Sequence, residues 1–134
     1  IYRTRAIIEA EAVRLLAAQR EVPSEAREAN AEITELVGAS PIDIIDPDIR
    51  FHAALVQALG SRRTSAIYAQ LTDEIRLCMT HVQDATLLST KDIAAEHARL
   101  LQLISEGDAA AAAKVLEEHL RTASNKLAEH LESL

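Results

Sequence analysis

Apolar residues recur along this chain every three to four positions, the period of a helix that buries one face. From Ile1 to about Gln19, a broad apolar face (Ala6, Ile7, Ile8, Ala10, Val13, Leu15, Leu16, Ala17) predicts a first helix, with no breaker before Pro23. Pro23-Ser24 predicts a second, with Ser24 as N-cap, Glu25 in the first turn and Gly38 near its end. Its face (Ala26, Ala29, Ile33, Leu36, Val37) is weakly apolar, which places it at the periphery. After a loop from Ala39 to Ile45, Asp46-Pro47-Asp48 opens a third helix, with Asp46 as cap and Pro47 at the first helical position. This helix carries Phe51, His52, Leu55, Val56 and Leu59 and stops at Gly60. A long fourth helix, about Arg63 to Val82, has Ile67, Leu71, Ile75 and Cys78 or Met79 as its stripe, with Arg76 beside it. Ser89 or Thr90 caps a fifth, whose stripe is Ile93, His97, Leu100, Leu101 and Ile104. Gly107 ends it and Asp108 caps a sixth, with Ala112, Val115 or Leu116, His119, Ala123, Leu127 and Leu131 on one face. The short connections at Gly60 and Gly107 make neighbouring helices antiparallel. The pattern is all-α.

Composition supports that reading and narrows the function. Gly and Pro number three each, while Ala, Leu, Glu and Arg abound, as in a nearly all-helical protein. At 134 residues, 49% apolar and 26% charged, the chain forms one domain with a sizeable core. Aromatic residues are 2%, so that core is aliphatic. A net charge of −7 argues against nucleic-acid binding by this segment, which would need a basic face. The single cysteine, Cys78, excludes an internal disulfide and fits a reducing cytoplasm; no apolar run approaches the length of a membrane span. The chain starts at Ile1, already in helical pattern, and reads as a fragment whose N-terminal part lies elsewhere.

The candidate chemistry lies on the apolar faces. His52, His97 and His119 each fall where an aliphatic side chain is expected, and Asp48 precedes His52 by four residues. That spacing sets the pair about 40° apart around the helix and one turn along it, so both can reach one ion. A single histidine on such a face is most often a packed or solvated residue. Three of them unpaired in an aliphatic core would cost roughly 1–3 kcal/mol each, and a shared metal removes the cost. Three imidazoles and a carboxylate suit one divalent ion, with zinc foremost and nickel, manganese or iron as alternatives. An octahedral ion would keep two positions for water or a small carboxylate. His81, at a helix end, is expected to be exposed. His130, eleven residues after His119, lies about 16 Å farther along and cannot share the site. Arg5 shares a stripe with Glu9, Ala12 and Leu16, so it either points inward or forms a surface pair with Glu9.

An enzyme is the weaker reading. No Glu-x-x-His, His-Glu-x-x-His, phosphate loop or nucleophile elbow occurs. A small metal-dependent hydrolase would need a base, and Glu96 and Glu118, adjacent to ligand histidines in sequence, are expected to point away. A purely structural bundle is the third reading.

The order Asp48-x-x-Phe51-His52, Glu96-His97 ahead of Leu100-Leu101, Gly107-Asp108 and His119-Leu120 resembles the FadR C-terminal (FCD) domain of GntR-family bacterial transcription regulators, metal-binding branch. Arg5-x-x-x-Glu9 fits its first helix, and the likeness covers essentially all 134 residues. It implies an antiparallel bundle of six to seven helices around a central metal and effector cavity, serving residues 1–134 as effector-binding and dimerisation domain. Metal ligands would be Asp48, His52, His97 and His119, with Arg5 and Arg76 holding the carboxylate of a small organic or sugar acid. Operator DNA would be bound by a homodimer through an N-terminal winged helix-turn-helix absent from this chain. Gly60-Ser61-Arg62-Arg63 departs from the asparagine the family often has there, and no side-chain role is assigned to it.

Overall fold

The structure, a computed structural model, describes residues 1–134. Six helices follow one another: α1 (Tyr2–Gln19), α2 (Ser24–Glu35), α3 (Ile45–Gln57), α4 (Arg62–Asp84), α5 (Thr90–Glu106) and α6 (Ala109–Glu132). They form a helical bundle without strands. No helix is long and apolar enough to cross a membrane.

Where the chain supplies a capping side chain, the helix begins as expected. Ser89 Oγ accepts from Asp92 N at 3.0 Å and Asp108 Oδ1 from Ala111 N at 3.1 Å. Elsewhere the starts differ. Pro23, not Ser24, is the residue before α2, and Ser24 is its first helical position. The expected loop before α3 contains a 3-10 turn, Pro41–Ile44, that runs directly into the helix. Asp46 and Pro47 therefore sit inside the first turn of α3 instead of marking its cap. Pro41, at the first position of the 3-10 turn, is the initiating proline, with Asp43 in that turn.

Packing is set by distant pairs. α1 lies chiefly against α6 and α3, α2 bridges α3 and α5, and α4 rests on α3 with a lesser contact to α6. One apolar cluster draws Val13, Leu16, Phe51, Leu55, Leu100, Ile104 and Leu116 from α1, α3, α5 and α6. A second gathers Ile33, Ile44, Val56, Tyr68, Ile75, Met79 and Ile93 around α4. The α4 stripe follows the expected one at Ile75 and Met79, with Leu71 partly buried and Val82 added, but at its start Tyr68 is buried and Ile67 is 46% exposed. The cause is polar. Tyr68 Oη donates to the buried carboxylate Glu9 at 2.9 Å, which turns that face inward. The turn at Gly107 (φ +79°) closes α5 with Asp108 N bonded to Leu103 O at 3.1 Å, and α6 folds back against α5.

Candidate metal centre

Three helices deliver the centre. α3 presents Asp48 and His52, α5 presents His97 and α6 presents His119, and one ligand-type atom from each lies within 4.8 Å of the others. The Gly107 turn sets the level of the last two. His97 stands about 15 Å before it and His119 about 18 Å after it, so antiparallel helices bring them side by side. The inward positions expected of Asp48, His52 and His97 are deep ones, 3%, 1% and 1% exposed. His119 is the outermost, its side chain 11% exposed.

Each imidazole is held from behind through Nδ1. His52 Nδ1 bonds to Glu9 Oε1, His97 Nδ1 lies 3.2 Å from Asn30 Oδ1, and His119 Nδ1 lies 2.6 Å from Glu96 Oε2. Nε2 is therefore the atom each ring has left to offer. Such partners behind a histidine fix its tautomer and raise its basicity toward a metal. Phe51 stacks on His97, with ring centroids 3.8 Å apart and planes within 2°.

Three atoms facing the shared point, Asp48 Oδ1, His52 Nε2 and His97 Nε2, are buried without a hydrogen-bond partner. His97 Nε2 comes to 3.2 Å of Asp48 Oδ1 without hydrogen-bond alignment, and His52 Nε2, at 3.7 Å, is too far for one. Orphaned polar atoms in a core each cost roughly 1–3 kcal/mol. A cation held by all of them removes that cost, and the donor set is one that divalent first-row ions accept. The residues fit a metal.

Electrostatics divides the cluster. Burial drives His97 down to about 4, against the pull of Asp48, so it is neutral. Burial also opposes the charge of His52, but Glu9 and Asp48 outweigh it and raise His52 to about 9. For Glu9 the burial cost is overcome by Arg5 and His52, which hold it at about 2. Asp48, buried as well, is kept well below the usual carboxylate range by His52 and His97. Arg5 Nε donates to Glu9 Oε2 at 2.9 Å, and that carboxylate holds the guanidinium charged despite burial. Of the two readings of Arg5, the inward one is observed: Arg5 is 2% exposed and Glu9 0%.

Arg5, Asp48, His52 and His119 share a small void with Tyr2, Met79, Leu88, Ile93, Leu120 and Ala123. Its volume of about 10 Å³ admits roughly one water-sized particle. Arg76 is elsewhere. It pairs with Asp46 at 2.5 Å on the surface, its side chain 48% exposed, because the position after the inward-facing Ile75 turns about 100° away from the core. Glu96 also departs from expectation. It does point away from its neighbour His97, but in doing so it reaches His119 across the α5–α6 contact, and that hydrogen bond holds its carboxyl pKa below the usual carboxylate value. His81 is exposed, and His130 lies outside the cluster.

Asn30 and Tyr68 were not singled out from sequence as part of this assembly. Asn30 falls between Ala26 and Ile33 on the buried stripe of α2, so an amide in an apolar row was its signal. Tyr68 carried none, since its phenol acts through an acid 59 positions away in α1.

The sequence profile of the FCD domain matches residues 1–122. Among solved structures, the metal-free FCD domain of TM0439, described as a candidate transcriptional regulator, superposes with a TM-score of 0.82 at 23% identity. The superposition covers 99% of this chain and 92% of that one, a likeness that speaks for the fold. No curated protein shows a significant sequence match. With a profile match across nearly its whole length, the chain belongs to the FCD domain family.

Proposed function

We propose that this domain is the effector-sensing part of a GntR-family transcription regulator, holding one divalent metal ion on Asp48, His52, His97 and His119 and binding a small organic or sugar acid. Zinc is the first candidate for the ion. The observation that carries the reading is the set of buried, unpartnered atoms on Asp48, His52 and His97 facing one point beside His119. The related solved fold comes from a protein described as a candidate transcriptional regulator, which supports a regulatory role over a catalytic one. The acids nearest the centre are committed as well: Glu9 serves Arg5, Tyr68 and His52, and Glu96 serves His119.

When bound, the ion supplies a fixed positive charge that attracts an anionic oxygen. The charges of this chain favour a carboxylate partner. Asp48 and Glu9 are balanced by Arg5 and protonated His52, so the buried group is neutral before metal uptake. Exchanging the His52 proton for a dication leaves one positive charge in excess, which a monoanionic group neutralises. Arg5, on the wall of the void, is the side chain placed to orient that group.

The void is too small for an organic acid, so entry requires its walls to part. Tyr2 and Leu120 border both this void and an outer cleft of about 440 Å³ between α1 and α6, which Arg3 and Arg121 also line. An acid entering by that route moves α1 relative to α6. A DNA-binding winged helix-turn-helix preceding α1, in a homodimer, would be repositioned by the motion. Such coupling works only through different effector affinity for the two arrangements.

The test is thermal. Metal-loaded protein should gain several degrees in melting temperature with millimolar carboxylic acids of the right shape, with the acid recovered intact. Metal-free protein should not respond. Consumption of the acid, or equal stabilisation without metal, would contradict the proposal.

A further inference from the structure

We infer that Asn30 is a positioning residue of the centre: from α2, which provides no ligand, it sets the tautomer of His97 that leaves Nε2 free to bind a cation. The inference rests on the metal-centre reading and adds a residue and a helix to it.

The orientation of the Asn30 amide is fixed at both ends. Its Nδ2 donates to Ala94 O at 3.1 Å, so its Oδ1 is the atom that faces His97 Nδ1, 3.2 Å away. Reversing the amide would set its oxygen against the Ala94 carbonyl, two acceptors in contact. An amide oxygen only accepts, so the His97 nitrogen beside it must be the one that carries hydrogen. In a neutral ring this leaves Nε2 with its lone pair, directed at the point shared with Asp48 and His52.

A competing arrangement lies close at hand. His97 Nε2 is 3.2 Å from Asp48 Oδ1. If the proton sat on Nε2, a small ring rotation would hydrogen-bond it to that carboxylate, and two of the four ligand atoms would be occupied by each other. Asn30 works against that state by holding the proton on the far side of the ring. Glu9 and Glu96 hold the other two imidazoles as carboxylates, so His97 is the ring held by a neutral group. Asn30 is 7% exposed on the stripe that packs α2 against α3 and α5, so the peripheral helix is tied to the centre by one side chain.

The test reads the tautomer directly. Metal-free protein labelled with nitrogen-15 at histidine, at pH 8, should show His97 as the Nδ1–H form. Asn30→Leu should shift it to the Nε2–H form and weaken zinc binding by about 10–100-fold. Leucine preserves the volume, and Ala94 O keeps the partner that the interior of α5 supplies. An Nε2–H ring in the wild-type protein, or an unchanged tautomer and zinc affinity in Asn30→Leu, overturns the assignment while leaving the metal centre standing. A wild-type protein that takes up no zinc sinks the metal centre, and with it any role of Asn30 toward a metal.

Discussion

His52 and His97 face the same point and are prepared for it in opposite ways. His97 stands neutral, at about 4, whereas His52 lies between two carboxylates at about 9 and holds its proton when metal is removed. Metal uptake near pH 7.5 must therefore displace about one proton per site. Titration calorimetry in buffers of different ionisation heat should show it, and a buffer-independent heat would contradict it. The same two groups set the pH profile of the metal-free protein. The raised His52 contributes stability that is complete below the unfolded value of roughly 6.5 and is lost as pH rises through about 9. The lowered His97 acts in the other direction, costing stability as pH falls from roughly 6.5 through about 4. Glu9, held at about 2, adds a further loss on going from roughly 4.3 toward that value. Denaturant midpoints of metal-free protein should peak near pH 6.5, and a flat profile from pH 4 to 9 would refute this balance. Glu9 is also the residue whose loss should cost most. Glu9→Gln leaves Arg5 charged and buried without its counter-ion, for about 3–5 kcal/mol by chemical denaturation. A change below 1 kcal/mol would mean that the pair is not buried in solution.

At the scale of elements, the helical period told most where one face meets one core. The α5 stripe is buried residue for residue, and the stop at Gly107 with the cap at Asp108 placed His97 and His119 on facing helices. Gly107→Ala, at φ +79°, should cost about 1–2 kcal/mol and loosen that alignment, a change visible in urea melts. The α4 register was legible at Ile75 and Met79 but not at the start of the helix, where Glu9 draws Tyr68 inward and leaves Ile67 exposed. That pull is tertiary. Arg76 follows the buried Ile75 and faces solvent. With both partners solvated, the Arg76–Asp46 pair is worth little, so Arg76→Ala should change stability by under about 0.5 kcal/mol and leave zinc affinity untouched. A large loss of zinc in that variant would put Arg76 back at the centre. The start of α3 was obscured for another reason. Asp46-Pro47 has the form of a helix start, and so does the earlier Pro41, which begins the 3-10 turn.

For the whole molecule, the sequence revealed which side chains meet but not what stands behind them. The four candidate ligands could be found because histidine and aspartate interrupt apolar stripes. The partners Glu9, Asn30 and Glu96 depend on how α1, α2 and α6 pack across α3 and α5, which periodicity within one helix does not encode. The resulting assembly ties five helices to one point directly and the sixth, α4, through Tyr68 on Glu9. The most direct measurement is metal content by elemental analysis of purified protein dialysed against zinc, beside His97→Ala and His119→Ala. One ion per chain in the wild type, with loss of stoichiometric metal in both variants, is the predicted result. Equal zinc in all three proteins, or none in the wild type, would contradict the account.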